Sequence, residues 1–308
     1  MRIFVTGASG WIGSALVPEL IDGGHQVVGL ARSDASAAAL TGAGVEVVRG
    51  SVDDLGVLRE TAAASDGVVH LAFQHERAFG GDFRGAAEAD RRAVDALGGA
   101  LTGSDRPFVL ASGLAGLAPG RVVSERDMPT IDGSPFSVRG ATAQAVLALA
   151  SEGVRSSVVR LSPTCHGEGD PGFMASLTAL AREKGVSGYA GDGGNRWPAV
   201  HRLDAARLFR LAVEKAPAGS VLHGAAEEGV ALRDIAGVIG RHLGVPVAPI
   251  APEAAGGHFG WLSAVIGLDA PASSTLTREL LGWEPAGPGL LEDLDTGHYF
   301  RAPAAPAG

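Results

Sequence analysis

Gly7, Gly10 and Gly13 recur every third residue in the run Val5-Thr6-Gly7-Ala8-Ser9-Gly10-Trp11-Ile12-Gly13. A β-branched stretch precedes the run and an Ala/Leu-rich stretch follows it, so it reads as the turn between a strand and a helix. In such a turn each glycine has its own task. Gly7 permits the tight turn, Gly10 lets a pyrophosphate approach bare backbone, and Gly13 lets the helix pack close on the sheet. The helix start then meets the phosphates with unpaired N–H groups and the positive end of its dipole. Ser9, Trp11 and Ile12 complete the candidate contact surface. The chemistry is dinucleotide binding; an ordinary turn with chance glycines is the competing reading.

The second strand decides which dinucleotide. An NAD site ends that strand on an acid, which holds the ribose 2′-hydroxyl. Here Ala31 stands in that place and Arg32-Ser33 follow. A guanidinium suits a 2′-phosphate, so NADP(H) is favoured. Asp34 is within reach of the same ribose and keeps NAD(H) open, and a merely solvated Arg32 is the plain alternative.

These residues need a scaffold, and the sequence supplies one. Short β-branched runs at 2–6, 26–31, 45–49, 67–71, 107–111 and 156–161 alternate with helical stretches at 11–22, 36–41, 55–64, 85–103 and 140–152. Alternation of this kind predicts an α/β fold: a Rossmann-type doubly wound parallel sheet with a smaller C-terminal substrate lobe. Residues 1–163, with 200–225 returning to them, make the dinucleotide lobe; 164–199 and 226–308 make the substrate lobe. The chain of 308 residues, 46% hydrophobic, is long enough for a large core. Its net charge of −9 argues against nucleic acid and anionic membrane as partners. A single cysteine, Cys165, excludes an internal disulfide, and a first strand at Arg2 leaves no room for a signal peptide, so a cytoplasmic protein is expected. No histidine or carboxylate spacing suggests a metal site. Asp53-Asp54 reads as the cap of a helix, and 302–308 as a disordered tail.

Thr6–Gly13 resembles the opening of extended short-chain dehydrogenases/reductases, the group that contains the NAD-dependent epimerase/dehydratases. The resemblance continues in order along the chain: Val68-Val69-His70-Leu71-Ala72, Val109-Leu110-Ala111-Ser112-Gly113, Val159-Arg160-Leu161-Ser162-Pro163-Thr164-Cys165-His166-Gly167, Val200–Ala206, and Leu280-Leu281-Gly282-Trp283-Glu284-Pro285. It implies that Leu71, Ala72 and Phe73 line the cofactor cleft and that Ser162 and Pro163 meet its nicotinamide end. Ser51-Val52 occupies the place where the family often has Asp-Leu beside the adenine. A homodimer is usual among such proteins.

One part of the resemblance fails. The family's chemistry uses a Tyr-x-x-x-Lys pair on the helix after the fifth strand, in which the lysine lowers the tyrosine pKa and the tyrosine moves the carbonyl proton. The only tyrosines here are Tyr189 and Tyr299, and neither begins such a motif. The corresponding stretch puts Pro135 or Phe136 at the tyrosine position and Arg139 or Gly140 at the lysine position. Epimerase and dehydratase chemistry is therefore not expected. Two readings remain: a ketoreductase for a hydrophobic or aromatic ketone, with the substrate itself as one candidate proton donor, and a non-catalytic redox sensor that reads NADP(H). For the first, Ser112, His75 and Arg139 are the candidate catalytic groups, each competing with a structural role. His75, Leu114, His166 and Trp197 are the candidate pocket residues; Tyr189, Phe259 and Trp261 are further wall candidates, with core packing as the alternative.

Overall fold

The computed structural model describes residues 1–115, 117–132 and 135–301; the tail expected at 302–308 lies outside them. β1 (Arg2–Thr6) passes through the glycine turn into α1 (Gly13–Asp22), β2 (Gln26–Ala31) into α2 (Asp34–Gly42), and β3 (Glu46–Arg49) into α3 (Leu55–Ala63). β4 (Gly67–His70) leads to a short α4 (His75–Phe79) and a long α5 (Phe83–Gly99), then β5 (Pro107–Gly113) to α6 (Pro135–Ala148). β6 (Arg155–Leu161), β7 (Thr164–His166), α7 (Phe173–Lys184), β8 (Ser187–Ala190), β9 (Arg196–His201), α8 (Arg202–Lys215) and β10 (Ser220–Gly224) follow. The chain closes with β11 (Glu227–Ala231), α9 (Leu232–Leu243), β12 (Val247–Ile250), α10 (Pro252–Phe259), α11 (Thr275–Leu281) and α12 (Leu290–Asp295).

Seven strands form one parallel sheet in the order β10-β6-β5-β4-β1-β2-β3. Strand order reverses between β1 and β4, and that switch point opens a crevice beyond the strand ends. Alternate residues of each strand point to opposite faces. Ile3 and Val5 join α1 and α8 in one core, whereas Phe4 and Val68 join α3, α5 and α6 in the other. Cover on both faces explains why the central strands read as nearly unbroken apolar runs.

A third core holds Met174, Leu177, Trp197, Ile235, Phe259 and Leu290, around the small sheets β11-β9-β7 and β12-β8. Between the lobes the chain crosses repeatedly. α8 and β10 return to the main sheet, and so do Leu281 and Trp283, whose indole donates to Asp204 O at 3.0 Å.

Several element bounds differ from expectation for local reasons. α1 begins at Gly13, because Trp11 and Ile12 are still part of the turn. α2 runs longer, since Ser33 caps it and exchanges hydrogen bonds with Ser36 in a capping box. α5 starts at Phe83 under an Asp82 cap that accepts from Gly85 N at 2.9 Å. α6 opens on Pro135, whose missing N–H costs nothing in a first turn. Asp53 and Asp54 are not the side-chain caps expected. Asp54 sits at the cap position of α3, but its carboxylate turns back to accept from Ser51 N at 2.7 Å, and Asp53 accepts from Gln74 Nε2 at 2.9 Å.

Candidate active site

The glycine turn is built for close approach. Gly7 has φ +69°, and a Cβ there would lie 2.9 Å from Ala72 N. A Cβ on Gly13 would lie 2.1 Å from Gly7 O, so α1 can start only where that residue is bare. Gly10 N donates to Gly7 O at 2.9 Å to close the turn, and Ser9 and Gly10 are exposed at its tip. The cradle therefore fits a pyrophosphate laid across backbone at a helix start. Leu71, Ala72 and Phe73 flank it as partly buried residues leaving β4, and Ile12 packs into the main core.

Trp11 does more than line this turn. Its indole donates to Cys165 O at 3.0 Å, and the Arg202 guanidinium lies 4.2 Å from the ring while donating to Trp11 O at 2.8 Å and Ser14 Oγ at 2.7 Å. The glycine turn, β7 and the start of α8 are thus fastened together.

Arg32 and Ser33 stand exposed at the end of β2, and Arg32 lies 3.7 Å from Glu76. Ser51 Oγ donates to Asp54 at 2.9 Å and Val52 packs on the second main-lobe core, so this pair shapes the adjoining loop. Ser162, expected near the nicotinamide, is buried and spends its hydroxyl on Gly224 O at 2.8 Å; Pro163 beside it is partly exposed.

Beyond the ends of β4 and β5 the structure gathers a cluster. Arg139 Nη2 donates to Ala111 O at 3.1 Å, and its guanidinium carbon stands 4.1 Å from the centre of the Phe73 ring. Phe73 also meets His75 edge-on at 5.0 Å and Phe83 at 5.9 Å. Ser112, partly exposed, is the next residue of β5 after Ala111. Underneath runs a buried chain that the sequence reading missed. Ala72 N and His70 Nδ1 both contact Thr6 Oγ1, at 3.3 and 2.7 Å, and His70 Nε2 faces Asp90 at 3.2 Å. A carboxylate only accepts, so Nε2 carries the proton and Nδ1 accepts from the Thr6 hydroxyl. The signal for Asp90 was present but unused: an acid among alanines on the apolar face of α5.

Electrostatics sets the state of the cluster. Desolvation of the ring where it packs on Phe73, reinforced by the Arg139 charge, holds the His75 pKa below its ordinary value although part of the side chain faces solvent, with Asp90 opposing. His75 is therefore neutral at pH 7, an acceptor sooner than a proton donor. Burial lowers the Arg139 pKa and Asp90 raises it; a guanidinium keeps its charge regardless.

Three residues expected at the substrate surface lie inside packing instead. Leu114 is buried with Val123, Ala225 and Ala272. His166 is buried, paired to Asp293 at 2.9 Å and packed against His201. Trp197 is buried against Phe173, its indole donating to Leu268 O at 3.1 Å. Phe259 is equally enclosed and Tyr189 partly so, whereas Trp261 is exposed. His75 alone of the four is open to solvent. Among the described residues no group of histidine, cysteine and acidic side chains could hold a metal ion, and no helix is long and apolar enough to cross a membrane.

Comparison with known proteins agrees with this geometry. Residues 3–223 match the NAD dependent epimerase/dehydratase family. An uncharacterized protein of Schizosaccharomyces pombe is 45% identical over 97% of this chain and 100% of its own length. A ketoreductase of Stigmatella aurantiaca, named for 4-hydroxy-2-methyl-3-oxo-4-farnesyl-3,4-dihydroquinoline-1-oxide, is 30% identical over 72% of this chain and 67% of its own. In fold the chain resembles a dTDP-glucose 4,6-dehydratase of Streptomyces venezuelae solved with NAD, at TM-score 0.78 and 20% identity over 98% of both chains. With residues 3–223 matched, the chain belongs to the NAD dependent epimerase/dehydratase family.

Proposed function

We propose that the chain is an NADP(H)-dependent ketoreductase for a small hydrophobic, aromatic ketone, working without a tyrosine acid. The observation that carries this reading is Arg139. It puts a fixed positive charge on an aromatic ring at the ends of β4 and β5, on a helix whose sequence has neither tyrosine nor lysine. The bound dinucleotide supplies the hydride, and the protein supplies orientation and charge. A guanidinium stabilises negative charge growing on a carbonyl oxygen. Neutral His75 is a poor acid at pH 7, so the proton comes from Ser112, water or the substrate itself. A ketone flanked by a phenol carries such a proton. The aromatic surface of Phe73 and Phe83, and the bicyclic, farnesylated compound named for the Stigmatella relative, support an apolar substrate of this kind. Exposed Arg32 supports NADP(H) over NAD(H).

The absence of the tyrosine and lysine also favours a second reading, a sensor that binds NADP(H) and turns nothing over. One experiment separates the two. NADPH consumption is followed by absorbance with phenol-flanked aromatic ketones and their O-methyl ethers. Turnover of the phenols, lost on methylation, is the expected result. Tight NADPH binding with no reduction of any carbonyl compound would hand the site to the sensor reading.

A further inference from the structure

We infer that Arg49 is the second cation of a 2′-phosphate subsite, acting with Arg32, and that Asp34 is the counter-ion it releases when the phosphate arrives. The inference rests on the NADP(H) reading above and adds a residue that the cofactor turn and the second strand do not reveal. Sheet register pairs Ala31 of β2 with Arg49 of β3, so the two strands end side by side. Gly50 N donates to Ala31 O at 3.1 Å and ties the ends together. Arg32 follows Ala31 directly. From the neighbouring strand the Arg49 guanidinium reaches across the start of α2, donating to Ser33 O at 2.6 Å and to Asp34 Oδ1 at 2.7 Å. The Arg49 guanidinium thus lies at Ser33, one residue along the chain from Arg32, whose own exposed guanidinium faces Glu76 at 3.7 Å.

The pairings at these arginines are weak and exchangeable. Asp34 is fully exposed and Arg49 half exposed, and Arg32 and Glu76 are both largely in solvent at 3.7 Å. Ion pairs of this type are screened and held loosely. A phosphomonoester offers about two charges and three acceptor oxygens, and a forked guanidinium matches it better than it matches one mobile carboxylate. Asp34 is also the acid that would serve a ribose 2′-hydroxyl. While Arg49 holds it, that acid is engaged, which moves preference further toward the phosphorylated cofactor. A purely structural role for Arg49, steadying the start of α2, makes a different prediction: it would affect NADPH and NADH alike.

Calorimetric titration of the full chain with NADPH, NADH, 2′-AMP and 5′-AMP tests this. Arg49→Met should weaken NADPH and 2′-AMP by about 10- to 100-fold, the scale of a charge-assisted contact, and leave NADH and 5′-AMP unchanged. Asp34→Asn should tighten NADPH by removing a repelling charge and freeing Arg49. Both positions are exposed, and thermal unfolding of each variant verifies the fold. An unchanged NADPH-to-NADH ratio in Arg49→Met, whether both cofactors weaken or neither does, overturns the inference. If wild-type protein still prefers NADPH, the cofactor reading survives that result. Equal wild-type affinities for the two cofactors overturn both.

Discussion

Arg139 and Tyr299 show how differently a charged or ionisable side chain can be used in one molecule. Arg139 leans on Phe73 at the strand ends, with buried Asp90 acting on it from α5. If it stabilises the developing alkoxide, Arg139→Met should lower kcat for ketone reduction by about 10²- to 10³-fold, the usual loss for one electrostatic donor. A KM change without a kcat change would assign it to binding alone. Tyr299 sits in the smaller lobe, where its hydroxyl donates to Asp170 at 2.9 Å and accepts from Gly167 N at 3.2 Å. Burial and the Asp170 charge push its pKa well above the ordinary phenol value, so it stays a protonated donor. Tyr299→Phe should therefore keep turnover and lower stability by about 1–3 kcal/mol, because a buried carboxylate oxygen loses its partner. Denaturant unfolding and a turnover assay on the same preparation check both halves. Loss of turnover in a stable Tyr299→Phe protein would place the acid in the smaller lobe after all.

The strand–turn–helix from β1 to α1 divides labour between glycines that the sequence presents as equals. A Cβ at Gly13 would lie 2.1 Å from Gly7 O, inside the turn itself, whereas one at Gly10 would lie 3.1 Å from the same atom. Gly13→Ala should thus destabilise the whole protein, by about 1–3 kcal/mol or more as overpacked sites do. Gly10→Val should fold and fail to bind NADPH, since its side chain occupies the pyrophosphate's place. Calorimetry and thermal unfolding of the two variants should give opposite patterns, and a folded Gly10→Val that binds NADPH normally would move the cofactor elsewhere. This element was legible because period and punctuation agree over residues 2–22: a β-branched run, spaced glycines, then an Ala/Leu-rich helix. α4 was not, since His75–Phe79 is too short to show a period and begins beside a Gly/Phe-rich stretch that reads as loop. Arg49 and the Thr6–His70–Asp90 chain stayed hidden for another reason. Their partners lie far off in sequence, and only strand register and helix packing bring them together. The pocket candidates show the same limit: motif order located Leu114, His166 and Trp197 along the chain but not the direction in which each side chain packs, and all three are buried.

Across the whole molecule, the edge of the large sheet stores a dependence on pH that involves no cofactor. His223 of β10 is fully buried beside Arg160 of β6. Its Nδ1 faces Ser273 O at 2.8 Å and so carries the proton, leaving Nε2 to accept from Arg160 Nη1 at 3.4 Å. A second proton at Nε2 would be buried and turned toward a guanidinium. Burial, with Arg160 adding to it and Glu125 and Asp127 opposing, pushes the pKa down to about 4. The unfolded chain, with an ordinary histidine, binds that proton first. Between roughly pH 6.5 and 4 the unfolded state therefore holds more protons, and stability falls as pH falls through that window. The full effect for this one group is on the order of 3 kcal/mol at most. His75, His201 and His258, also lowered chiefly by burial, act in the same direction. Urea unfolding at pH 7.5 and 5 should accordingly show a marked loss for wild type at the lower pH. His223→Gln keeps a hydrogen-bonding side chain but cannot take the proton. It should start less stable at pH 7.5 and lose visibly less on going to pH 5. A variant whose loss between the two pH values matches wild type would mean that His223 takes its proton at the same pH in the folded and unfolded chain, so that burial beside Arg160 stores no pH dependence.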